Sequence, residues 1–406
     1  MLCILFLIIS YYSFYVSNYS FHFILLLKMI EPDLIRAREY FPHLQEGIIY
    51  FNDAAAGPVS TKLRDELNSL LKDRSEDGID NYYSFKEKID DSKDLLGEML
   101  NCSADRIAFT DNTSNGLNIL TQGVRWKKGD RILLNDVEFP ANVYPFLNLQ
   151  EKGVEIDFVK SKDGIVSAED VIEAVKPGTR VISISYVQFL SGYRVDLNKI
   201  GKFCKANEII LSVDAIQGLG AVTLDVKECN VDFLSCGTQK WMLGVQGLAS
   251  IYIDEDLQNK IKTVPLGWLS VNNAWDFLDY KIDLKSTASR YQSGTLNTFG
   301  IYAFNISLRL FKEFCFKNIE QQILSNTFYF NKLLADAGIE PVLSNYAEEN
   351  IAGIVSFKSD KSEKIFNHLA EKNIICSERL GYIRLSPHFY NTKNDIDKVV
   401  AEIRKI

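Results

Sequence analysis

Two polar clusters in this 406-residue chain each close a short apolar run: Asp214 with Gln217 after residues 209–213, and Thr238, Gln239 and Lys240 after residues 231–236. Apolar runs bounded by turn residues suit fully buried parallel strands. In an open α/β sheet, ligands collect outside the carboxyl ends of such strands, so a carboxylate and a lysine there can face one ligand. A lysine packed among apolar residues has its amine pushed toward neutrality, which a nucleophilic or Schiff-base amine requires. An aspartate across the pocket favours a cation on the ligand. Alone, the lysine pattern equally fits a snorkelling surface residue.

Other chemistry-bearing residues are spread along the chain. Thr113 and Ser114 follow a strand at Ile107–Thr110 and precede a helix beginning near Asn115. They fit an anion site at the helix N-terminus or plain capping. Phe139 lies in DVEFPANVYPF, either exposing a ring face or filling core before Pro140. Asn52, Asp53 and Ala54 form a small-residue loop before Gly57-Pro58, and Thr295 sits in a Ser-Gly-Thr turn before a long helix that it could cap. Arg384, on a strand, can hold a carboxylate with two parallel hydrogen bonds, or serve as a surface ion pair. Arg194 and Asp196 read as a surface pair.

The elements needed to position these residues are legible in outline. Helix-period segments at 61–71, 85–100 and Leu197–Ala206 alternate with strand-like runs at Ile107–Thr110, Arg131–Asn135 and 181–187, the pattern of an α/β fold. The C-terminal part from about residue 311 alternates in the same way. The expected organisation is a hydrophobic extension at 1–28, an N-terminal segment at 29–58 packing on the smaller domain, a large domain at 59–300 and a small α/β domain at 301–406. Residues 1–27 carry no charge, but a Ser/Tyr/Asn stretch interrupts the apolar run. They read as an upstream extension before a start at Met29, as a membrane anchor or as an ordered part of the fold. A net charge of −8 excludes a nucleic-acid footprint. Seven cysteines without CxxC pairing and four scattered histidines give neither a disulfide framework nor a metal site.

With VDAIQ at 213–217 and TQKW at 238–241, the chain from Met29 to Ile406 resembles the class V aminotransferase and cysteine desulfurase superfamily of fold type I pyridoxal-phosphate enzymes. The likeness is nearer to the epimerase-like and carbon–sulfur-lyase-like members. It implies a large domain with a mostly parallel seven-stranded sheet, a smaller C-terminal α/β domain, pyridoxal 5′-phosphate as cofactor, and a cytoplasmic homodimer with shared sites. Lys240 would be the covalent anchor and proton carrier, Asp214 the partner of the ring nitrogen and Gln217 that of the phenolic oxygen. Thr113, Ser114 and Gln239 would meet the phosphate, with Thr295 reaching it from the second subunit. Phe139 would lie on the ring and Arg384 on the substrate carboxylate, with Asn52 and Ala54 as pocket wall.

The implied chemistry is transamination, epimerisation or β-elimination at Cα of a small amino acid. Three departures stand against a desulfurase: Phe139 and Gln239 replace histidines, and Phe189 occupies an asparagine position, where Gln188 or Ser191 could substitute. The thiol available to a cysteine desulfurase or selenocysteine lyase is Cys376, on a short segment eight residues before Arg384. A non-catalytic binding protein on the same fold is the remaining alternative.

Overall fold

Strand ends and the first turn of one helix deliver most of the candidate residues. In a computed structural model describing residues 36–406, the strands in chain order are β1 (Ile49–Tyr50), β2 (Ile107–Thr110), β3 (Arg131–Asn135), β4 (Glu155–Val159), β5 (Thr179–Ser185), β6 (Ile210–Asp214), β7 (Phe233–Gly237), β8 (Ala249–Ile253), β9 (Val355–Lys358), β10 (Ile374–Ile375), β11 (Ser377–Arg379) and β12 (Tyr382–Leu385). The extension at 1–28 lies outside the described residues.

Seven strands form one sheet in the order β2-β8-β7-β6-β5-β3-β4. Only β8 runs against its neighbours, so the carboxyl ends of β2, β3, β5, β6 and β7 share one edge. Successive residues of these strands feed two different cores. Leu133, Ile182, Leu211, Val213 and Leu234 join one, whereas Ile132, Leu134, Val181 and Phe233 join the other. A sheet buried on both faces makes its strands read as continuous apolar runs. Helices cover it, including Thr113–Gly123 and Leu197–Ala206. The two helices at Thr61–Glu76 and Tyr82–Leu100 pack on the long helix Thr298–Phe314.

A second, antiparallel sheet is ordered β11-β12-β9 and backed by the helices Phe316–Asp336, Ser362–Glu371 and Lys393–Ile403. β1 pairs in parallel with β10, and Asn52 bridges Ser386 beyond the end of β12. Phe51 packs there with Phe330, Val355, Phe357 and Ile383. The N-terminal loop is thereby held beside Arg384. Among the described residues no helix is long and apolar enough to cross a membrane.

Candidate active site

Asp214 closes β6 and is almost fully buried. Its Oδ1 accepts a hydrogen bond from the Ile216 N–H at 3.0 Å, while Oδ2 is buried without a partner. Burial pushes its carboxyl up to about 7, with the nearby Glu138 carboxylate adding to the shift and Lys240 opposing it. Lys240, three residues beyond β7, is pushed the other way. Burial lowers its amine to about 8 against the pull of Asp214, and Arg384 and Arg379 lower it further. Its Nζ stands 5.5 Å from the centre of the Phe139 ring. An acid raised and an amine lowered within one pocket is the arrangement that proton transfer uses.

Arg384, on β12, is 1% exposed. Nη1 donates to the Phe189 carbonyl at 2.7 Å, but Nε and Nη2 are buried without partners. Burial, and after it the neighbouring Arg379, lowers its affinity for the proton to about 10. Two orphaned guanidinium donors and one orphaned carboxylate oxygen are costly unless a ligand completes them. An anionic carboxylate suits the first and a protonated ring nitrogen the second.

The helix Thr113–Gly123 supplies the end of the site beside β7. Its N-cap is Asn112, whose side chain accepts from the Asn115 N–H at 2.9 Å. The expected start near Asn115 is therefore corrected to Thr113: both hydroxyls lie inside the first turn, and Asn112, not either of them, is the cap. The Thr113 Oγ1 accepts from the Gly237 N–H at 3.0 Å, which ties the first helical turn to the β7 end. Ser114 and Phe139 line one open cleft. Gln239 is half-buried and turned inward. A Cβ placed on Gly237 would meet the Gln239 Oε1 at 2.6 Å and the Thr113 Oγ1 at 3.3 Å. The Phe139 ring is 37% exposed and meets Phe189 edge-on at 5.4 Å.

Gln217 is buried, with its amide engaged at both ends: Nε2 donates to the Ala54 carbonyl at 2.9 Å, and Oε1 accepts from Trp241 Nε1 at 2.8 Å. One Nε2 hydrogen remains for a ligand. The Ala54 N–H donates to Ser386 Oγ at 3.0 Å. Asn52 is half-buried and accepts from Ser377, whereas Asp53 is turned away onto the Tyr390 hydroxyl. Gln188 is committed to Glu138, and Ser191 accepts from the Tyr193 N–H.

Thr295 is not brought to these residues. It is exposed and lines separate cavities with Trp268 and Gln292. The following helix is capped by Asn297, not by Thr295. Arg194 pairs with Glu320 at 3.5 Å, and Asp196 caps the helix Leu197–Ala206, so the two do not form the expected pair.

Three further residues belong to the site. The Glu138 carboxylate is buried and accepts from Asn135, Asn142, Gln188 and both the N–H and the hydroxyl of Ser185, joining the ends of β3 and β5. Arg379 bears on both Lys240 and Arg384 and has a buried Nε without a partner. Trp241, fully buried, anchors Gln217. Their sequence signals were adjacency alone: Glu138 precedes Phe139, Trp241 follows Lys240, and Arg379 stands five residues before Arg384.

Known proteins resemble the chain in sequence and in fold. The chain is 25% identical over 386 residues to a probable cysteine desulfurase of Methanothermobacter thermautotrophicus, covering 88% of this chain and 94% of the relative. It is 30% identical over 353 residues to a probable cysteine desulfurase of Borreliella burgdorferi, covering 79% and 81%. An uncharacterized aminotransferase of Bacillus subtilis, YcbU, is 25% identical over 369 residues, covering 90% and 96%. In fold, the chain superimposes on the apo cysteine desulfurase of Thermococcus onnurineus NA1 with a TM-score of 0.82 at 21% identity, covering 91% and 96%. It does so equally, at 22% identity and covering 91% and 99%, on a C-DES variant with glycine covalently linked to its PLP cofactor. The order of strand-end residues, the seven-stranded sheet with one reversed strand, and a match of residues 49–399 to the family model lead to one conclusion: the chain belongs to the Aminotransferase class-V family.

Proposed function

We propose that the chain binds pyridoxal 5′-phosphate and acts at Cα of a small amino acid, by transamination, epimerisation or β-elimination. The observation that carries this is the set of unfilled bonding positions around Lys240: the Oδ2 of Asp214 and the Nε and Nη2 of Arg384. When bound, the cofactor supplies an electron sink for charge left at Cα. Lys240 is the covalent anchor and, with an amine lowered to about 8, can take and return a proton near neutral pH. Asp214 keeps the ring nitrogen protonated. Thr113 and Ser114 offer hydroxyls and open N–H groups to the phosphate, with the Gln239 amide beside them. Phe139, whose ring centre lies 5.5 Å from the Lys240 amine, would stack on the cofactor ring. Arg384 fixes the substrate carboxylate, and the loop at Asn52 and Ala54 walls the pocket. The remaining Nε2 hydrogen of Gln217 would donate to the ring's phenolic oxygen.

A second copy of the chain would bring Thr295 to its partner's phosphate. The exposed side chains of Trp268, Trp275, Phe277, Leu278 and Tyr280, in the segment before that turn, support an interface there. A cytoplasmic enzyme agrees with this chemistry.

Cysteine desulfuration is favoured by the names of the relatives. Cys376 is a poor carrier for it, because the thiol is 5% exposed and burial pushes it up to about 12. Sulfide or alanine released equally by wild type and Cys376→Ala would remove that carrier role. The main reading is tested by titrating free amino acids into the cofactor-loaded protein and following its near-visible absorbance band. At least one small amino acid should shift the band in wild type and none in Lys240→Ala. A band unmoved by every amino acid would sink the reading, and a wild-type protein with no band would point to a non-catalytic role.

A further inference from the structure

The residue after the anchor lysine closes a circuit of hydrogen bonds around the site. Trp241 Nε1 donates to Gln217 Oε1 at 2.8 Å, and Gln217 Nε2 donates to the Ala54 carbonyl at 2.9 Å. The Ala54 N–H donates to Ser386 Oγ at 3.0 Å. Two residues on, His388 returns to the start. Its Nδ1 accepts from the Phe389 N–H, so Nε2 carries the proton and donates to the Trp241 carbonyl at 3.0 Å. The Gly57 N–H also donates to the Gln239 carbonyl at 2.8 Å. Four chain segments are thereby closed into one ring, and every side chain in it is buried. Lys240 is the immediate neighbour of one member, and Arg384 lies two residues before another.

We propose that Trp241 is a positioning residue, which holds the Lys240 amine, the Ala54 loop and the Arg384 strand in one frame through its indole N–H and its carbonyl. The indole donor also fixes which end of the Gln217 amide faces the loop, since an oxygen there would oppose the Ala54 carbonyl. The proposal rests on the reading of Lys240 as the anchor, but its first test does not need the cofactor.

Trp241→Phe removes one donor while keeping an aromatic side chain, and strands the Gln217 oxygen. Trp126→Phe is the control, because the Trp126 indole donates to the Thr121 carbonyl at 2.6 Å within its own helix–loop junction. Hydrogen exchange on cofactor-free protein should show the Ala55–Gly57 amides exchanging roughly tenfold faster or more in Trp241→Phe, and unchanged in Trp126→Phe. Gln217→Met breaks the ring from the other side and should loosen the same amides if Trp241→Phe does not fold. The second readout is the rate at which added pyridoxal phosphate is captured as a function of pH, which reports the free Lys240 amine. Its midpoint should move up from about 8 toward the ordinary lysine value of 10.5 as water reaches the loosened pocket. Unchanged loop exchange and an unmoved midpoint in folded Trp241→Phe would overturn the proposal alone. Absence of any capture by wild type would overturn the functional reading beneath it.

Discussion

Burial shifts Asp214 and Lys240 each toward its neutral form, and this sets a sign for pH effects. Asp214 has its carboxyl raised from 3.8 to about 7 by burial, against the opposing charge of Lys240. Its contribution to the stability of the cofactor-free protein is present below about pH 4 and is lost as pH rises through 7. Lys240, lowered from 10.5 to about 8, contributes stability above pH 10.5 that is lost as pH falls through 8. Both groups are therefore held at a cost near neutral pH, as residues kept for a ligand are. Asp214→Asn should raise the melting temperature of the cofactor-free protein by a few degrees at pH 8, and weaken cofactor binding by roughly tenfold or more. Calorimetry and equilibrium dialysis check the two halves. A melting temperature that falls together with unchanged affinity would contradict this assignment. At this scale the sequence was informative where a residue type closes an apolar run, as for Asp214 and Lys240. It was silent on Glu138, because the bonds that make it a hub come from Ser185 and Gln188, on a strand that only folding brings alongside.

At the scale of elements, the helix Thr113–Gly123 must lie close on β7 and β8 to present its first turn. Gly116 makes that approach possible: a Cβ there would meet the Ser235 Oγ at 2.1 Å and the Ile251 Cγ2 at 2.9 Å. Gly116→Ala should push the helix outward, costing about 1–3 kcal/mol of stability by overpacking and loosening cofactor binding. Denaturant titration and cofactor release rates would show both, and a variant unchanged in each would mean that the contact is yielding. The helix and its strand were legible from the change in apolar period between 107 and 124. The cap was not, because Asn112, Thr113, Ser114 and Asn115 are all residues that cap well, and only the backbone geometry selects Asn112.

The whole molecule assembles its pocket from three distant regions: the loop after β1, the strand ends of the seven-stranded sheet, and β12. β1 pairs with β10 and Asn52 bridges Ser386, which ties the N-terminal loop to the C-terminal strands, while Ala54 and Gly57 tie it to Gln217 and Gln239 at the edge of the large sheet. The alternation of strands and helices made the α/β architecture readable. A segment at 29–58 packing on the smaller domain was expected, but its strand pairing with β10 and the bridge to Ser386 were not readable, since such short strands carry almost no periodic signal. The aromatic segment from Trp268 to Tyr280 likewise showed its composition in the sequence but not its exposure, which follows from its lying outside all three buried clusters.

The central claim is that Lys240 holds pyridoxal phosphate covalently in a pocket completed by Asp214 and Arg384. Borohydride reduction of the cofactor-loaded protein, followed by peptide mass mapping, tests it most directly. The account predicts a reduced pyridoxyl-phosphate adduct on the peptide containing Lys240, and none there after Lys240→Ala. An adduct confined to another lysine, or no adduct on a protein that retains its fold, would contradict it.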